Sequence, residues 1–246
     1  MSRRDRSPSS FPSIFISVQF QGDTMIRSIS IASLASLALS SAAAAALEEG
    51  HLDIWVTASG GQLVTGGWDH DSGVVVNPSQ RVFEGELGLD PLFPFSGDEP
   101  GIGSNLVGTT VSLNLSSTLG AWNGSGFVPS TSALTASYGG QSASTGAGGS
   151  FSFLVTQGLD LHPEFAMSGP GGSDPADGIY LATFDFGASG FTASAPFWIV
   201  LNLGMSEAEH EAAVEWAEAN LVPAPGALAA AALAWVTGAR SRTRRR

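Results

Sequence analysis

The side chains best able to do chemistry in this chain are four histidines set among twenty-two acidic residues, with no cysteine. Without thiolates, imidazole nitrogens and carboxylate oxygens are the donors from which a zinc-type site is built. His51 and Asp53 stand two residues apart, so on a strand they share one face. Asp69, His70 and Asp71 follow as an imidazole between two carboxylates, in a segment with turn character. His162 lies further on, between Leu161 and Pro163. If the fold gathers them, His51, Asp53, His70, Asp71 and His162 make a candidate site for a divalent cation. The alternative is a set of ordinary exposed or hydrogen-bonded polar residues, because this spacing is not diagnostic. Acidic turns at 97–99, 69–71 and 174–177 offer carboxylates that suit calcium, but none has the twelve-residue EF-hand spacing.

Other chemistries find less support. No Gly-x-Ser-x-Gly elbow sits on a strand-to-helix turn, and there is neither a phosphate loop nor a dinucleotide fingerprint. The chain is therefore read as non-enzymatic. Four tryptophans bear on carbohydrate recognition, since flat rings stack on pyranoses. Trp55 and Trp198 lie in apolar runs and are expected in the core. Trp68 and Trp122 are flanked by Gly or Asn and are expected on loops, open to an envelope polysaccharide.

Charge narrows the partners. Between residues 47 and 222 twenty acidic residues face one arginine, Arg81, and lysine is missing throughout. Such a surface repels nucleic acid, whose binding requires cationic side chains to displace phosphate counterions. It attracts cations and basic partners instead.

The elements that must position these residues are mostly strands. Short apolar or alternating runs occur at 51–57, 61–65, 73–76, 80–85, 106–114, 133–138, 151–156, 165–168, 178–188 and 197–202. Gly, Pro, Ser and Asp fill the gaps between them. Within 178–188, Tyr180, Ala182, Phe184 and Phe186 alternate with Leu181, Thr183 and Asp185, which predicts one strongly buried face. The Gly/Ser-rich stretch 139–150 reads as a loop. The expected fold is all-β, sandwich or jelly-roll-like over 47–205, with one short C-terminal α-helix over 206–220. Ser206 and Glu209 form a capping box at its start, and Ala208, Ala212, Trp216 and Ala219 recur at helical spacing.

Both ends read as addresses. Residues 25–46 combine Arg27, an apolar run at 29–39 and small residues up to Ala46, which predicts a signal helix cleaved at Ala46. Residues 1–24 do not suit a leader, so Met25 is the expected initiator. At the other end, residues 226–239 are uncharged and would span about 21 Å as a helix. Arg240, Arg242, Arg244, Arg245 and Arg246 follow at once, as the positive-inside rule requires of a membrane-stop. A C-terminal transmembrane helix is expected.

Pro223, Pro225 and Gly226, the short Ala/Leu-rich span and the arginine cluster together resemble the PEP-CTERM sorting signal of exosortase-processed surface proteins, in the form found in planctomycete-like bacteria. The resemblance implies an exosortase-like sorting protease as partner for residues 221–246, and membrane or envelope attachment. Ala224 stands where that motif carries an acidic residue. The body is also similar to surface-anchored bacterial β domains. The matching pieces are GHLDI at 50–54, VFEGE at 82–86, DGIY at 177–180, PFWIV at 196–200 and the helix at 206–216. Together these imply an exported surface or matrix protein. A binding domain for metal ions or envelope polysaccharide is the alternative, and an anchored hydrolase the third reading.

Overall fold

The structure is a computed structural model that describes residues 52–223. His51, the signal-type segment with Ala46, and the tail with Pro225, Gly226 and the five terminal arginines lie outside the described residues. Among the described residues, no helix is long and apolar enough to cross a membrane.

Strands β1 (Asp53–Ser59), β2 (Gln62–Asp69), β3 (Val74–Asn77) and β4 (Val82–Leu87) come first, followed by the short β5 (Ser96–Gly97) and β6 (Ile102–Ser104). The long β7 (Thr110–Trp122) leads to β8 (Phe127–Pro129), β9 (Ala133–Tyr138), β10 (Gln141–Ser144) and β11 (Ser150–Leu154). Then come β12 (Asp160–Leu161), β13 (Glu164–Ser168), β14 (Gly178–Ala188), β15 (Phe197–Leu203) and the helix α1 (Glu207–Leu221). Among the described residues the protein is mostly β with one short helix. These described strands form three sheets, in the orders β12-β6-β1-β2-β3, β10-β9-β13-β5 and β11-β7-β14-β15-β4, with β8 also paired to β7. Pairing is antiparallel except for β1 with β6 and β15 with β4.

Alternation along β14 does what period two dictates. Tyr180, Ala182, Phe184 and Phe186 enter the main core, which draws residues from all three sheets. Ile179 and Leu181 face the other way, into a second cluster with Val82, Val200, Ala213, Val214 and Ala217 beneath α1. The third sheet is thus buried on both faces where the helix covers it.

Two expectations are corrected. Residues 139–150 are not a plain loop: Gly139 and Gly140, both at positive φ, make a two-residue hairpin turn from β9 into β10. The helix also turns a different face inward. His210, Ala213, Val214 and Ala217 are buried, whereas Ala208, Ala212 and Ala219 are exposed. Alanines stand on both faces, so Val214 supplies the extra apolar area that selects the inner one, and His210 Nε2 donates from that face to the Val200 carbonyl. Trp216 stands at the edge, packed against Trp122 and Phe127 at centroid distances of 6.1 and 5.7 Å. Ser206 caps the helix as expected, its backbone N–H and hydroxyl both donating to the Glu209 carboxylate.

Candidate functional site

Four segments meet at one end of the first sheet. Asp53 opens β1, opposite Trp68 near the end of β2, so His70 follows in the turn directly beyond. Strand β6 runs parallel to β1, which brings the approach residues Glu99 and Gly101 beside Asp53. Strand β12 pairs with β6 and delivers Asp160, with His162 two residues on.

The resulting cluster is mixed nitrogen and oxygen. Asp53, Asp160 and His162 each offer one ligand atom, and the three atoms lie within 4.8 Å of one another. His162 Nδ1 faces the Asp98 carbonyl at 3.2 Å. A carbonyl oxygen only accepts, so that nitrogen carries the hydrogen, and Nε2 is left facing Asp160 Oδ1 at 3.1 Å. The other Asp160 oxygen lies 3.3 Å from His70 Nε2. One carboxylate therefore links two imidazoles. Trp68 holds His70 edge-on at 5.8 Å and packs over Gly103, where a side chain would collide with the indole.

Gly101 is the pivot. Its N–H donates to Asp53 Oδ1 at 2.6 Å and to Glu99 Oε2 at 3.0 Å, so two carboxylates crowd one donor. A Cβ there would sit 2.9 Å from both Asp53 Oδ1 and His162 Cε1, so only glycine allows the approach. Burial, and then the neighbouring Asp53, push the Glu99 carboxyl up to about 7. Partial burial of His162 works against its positive charge, but Glu99 and Asp160 outweigh it and raise its pKa.

Both groups hold protons more tightly in the folded state than in the unfolded one. Their contribution is complete below the unfolded pKa, ordinarily near 4.5 for the glutamate, and is lost as pH rises through the folded value. Metal-free protein is therefore expected to lose stability between about pH 4.5 and 7, and Glu99→Gln should flatten most of that slope. Urea midpoints across the range measure it; an unchanged slope in the variant would refute the assignment.

Of the residues expected from sequence, Asp53 and His162 are brought together and His70 joins them through Asp160. Asp71 does not join, since its side chain is 97% exposed and meets only His70, at 3.5 Å. The acidic turn at 69–71 is self-contained: Asp69 accepts from the Ser72 hydroxyl and from the Ser72 and Asp71 amides, which holds its pKa below the usual range. Asp160 is the member of the three-atom set that the sequence reading does not name, whereas Glu99 belongs to the acidic turn at 97–99 expected to suit calcium. Asp160-x-His162 has the same spacing as His51-x-Asp53 and is legible by the same rule; Glu99 was offered with its turn for calcium and not for this mixed nitrogen and oxygen set.

The tryptophans also move. Trp68 and Trp122 are strand residues rather than loop residues, and they stand in separate aromatic groups on different sheets. Trp55 and Trp198 are half-buried; Trp198 packs against the second core cluster, beneath the Arg81 guanidinium at 5.0 Å. Beside the cluster, His162, Glu164, Tyr138, Ser137 and Gln141 line an open cleft of about 480 Å³. The site thus faces solvent on one side, with hydroxyls and an amide at hand. The chain matches no protein-family model, no curated protein and no solved structure, so the function of this cluster must be argued from its own chemistry.

Proposed function

We propose that this is an exported, envelope-anchored, non-enzymatic protein whose sandwich-type β ectodomain captures a divalent cation of the zinc class. The observation that carries it is the convergence of Asp53, Asp160 and His162 donor atoms within 4.8 Å, with Glu99 and His70 alongside. An imidazole held by a backbone carbonyl, with its second nitrogen turned to carboxylates, is how proteins orient a metal-binding histidine. Mixed N/O donors suit zinc and its neighbours better than calcium, which favours oxygen alone. The signal-type segment and the PEP-CTERM-like tail support export and anchoring. The acidic surface supports cation capture and disfavours nucleic acid.

A second reading, an envelope polysaccharide as ligand, draws on the polar cleft beside His162. Calorimetry with Zn²⁺, Mn²⁺ and Ca²⁺ on the ectodomain, paired with polysaccharide pull-down, separates the two. Zinc is expected to bind with micromolar or tighter affinity and to raise the melting temperature. Absence of both effects removes the cation reading, and glycan capture without zinc would favour the second. Cell fractionation with mass measurement of the mature ends tests export, and a cytosolic product with an intact leader would refute it.

A further inference from the structure

A second set of donors lies far along the chain from the first, between β4 and α1. His210 on the first turns of α1 has no exposed surface. Its Nε2 faces the Val200 carbonyl at 3.0 Å and so carries the hydrogen. Nδ1 then lies beside the Glu86 carboxylate, is buried and has no hydrogen-bond partner. Glu86 Oε1 is only 3.0 Å from that nitrogen, but without hydrogen-bond geometry, and Glu86 is itself held by the Asn202 amide at 3.2 Å. A buried ring nitrogen left unpartnered beside a carboxylate oxygen is costly, because two lone pairs then face one another. Something positive belongs between them.

We propose that Glu84, Glu207 and His210 form a second divalent-cation site that clamps α1 to β4. One donor atom from each lies within 4.8 Å of the others, and the His210 atom is the buried one. Other acids crowd the same seam. Glu218 has its pKa raised by burial first and then by Glu84 and Glu215. No basic residue answers them: Arg81 is the single arginine or lysine among the described residues, and its Nε donates to the Pro196 carbonyl. The positive end of the α1 dipole opposes a cation there, by well under the attraction of three nearby carboxylates. The site goes beyond the cation site at Asp53 and does not depend on it.

The competing account is a bare proton on His210, paired with Glu86. Metal stoichiometry decides between them. His162→Ala removes the first site and is expected to leave one zinc bound per chain by native mass spectrometry. In that background Co²⁺ should give d–d absorption, and zinc should slow amide exchange across α1 by at least about tenfold. Adding Glu84→Gln and Glu207→Gln, neither of which removes buried packing, should abolish all three signals while circular dichroism stays unchanged. Wild type would bind two zinc ions. A His162→Ala protein that binds no metal, or a triple variant that still binds one with slowed α1 exchange, overturns the proposal. A wild type with one zinc that His162→Ala leaves in place would instead count against the first site alone.

Discussion

Replacing His162 with alanine is expected to weaken zinc binding at the Asp53–Asp160 site at least about 100-fold, with the fold retained. Losing even an outer partner of a metal ligand costs about 10- to 100-fold, and His162 supplies the one nitrogen of the three-atom set. Alanine also takes away the positive neighbour that eases the crowding of Glu99 against Asp53. The variant should therefore repel itself more strongly at neutral pH, and any cation that remains would be held by oxygens alone. Competition with a chromophoric chelator reads the affinity, and circular dichroism reads the fold. Asp71→Asn is the internal comparison: its side chain stands in solvent, so affinity should stay within about twofold, the change expected of a surface residue outside the network. Equal affinity in His162→Ala and wild type would remove the site.

The two histidine clusters share one construction. In each, a backbone carbonyl fixes one ring nitrogen as donor, and the other nitrogen is turned toward carboxylates. In neither case is the histidine a loose surface group. The sheet edge positions His162, while burial of the inner face of α1 against the third sheet positions His210. An acidic body with one arginine has few internal cations to balance such arrangements. External cations are the natural complement, and the open cleft at His162 gives them a route in.

Much of the scaffold was legible because period two survives wherever a strand has one buried face. All ten expected runs contain or overlap a strand, and the inner face of β14 was read residue by residue. The missed strands β5, β6, β8, β10 and β12 have two to four residues each. That is too few to show a period, and glycine or proline within several of them reads as a turn. The helix was placed correctly, but its inner face was not, because alanines stand on both faces and leave little contrast between them. Half of the site was legible for the same reasons. Asp53 and His162 were named, yet the contact between them depends on β6 running parallel to β1 and β12 joining its edge. Pairing between strands about fifty residues apart leaves no mark in local sequence. Glu99 enters only through the close approach at Gly101, which is a property of packing rather than of spacing.

The largest loss of stability is expected from Phe197→Ala, at about 3–5 kcal/mol. Phe197 is fully buried at the start of β15, between β14 and β4. Its ring stacks on Phe186 at 4.9 Å and Phe184 at 5.7 Å, and meets Phe83 edge-on at 5.9 Å. Alanine removes a ring that three others contact, and rings locked into one core collapse poorly onto the void. For a domain of this size each kcal/mol moves the melting temperature by about 2–4 °C, so a fall of roughly 6–20 °C is expected. Urea denaturation should show a lower midpoint at unchanged slope; a loss below about 1 kcal/mol would mean that the stack is not the keystone of the core. Leu154→Ala on β11, where the leucine is 56% exposed, should change little by comparison. Phe197 shares none of these ring contacts with Asp53, Asp160 or His162, so the two effects should add. Saturating zinc stabilises the native state by an amount set by its concentration and affinity alone, so it should add the same free energy to the variant as to wild type. A smaller gain in Phe197→Ala would show that the core and the sheet edge bearing the site are coupled.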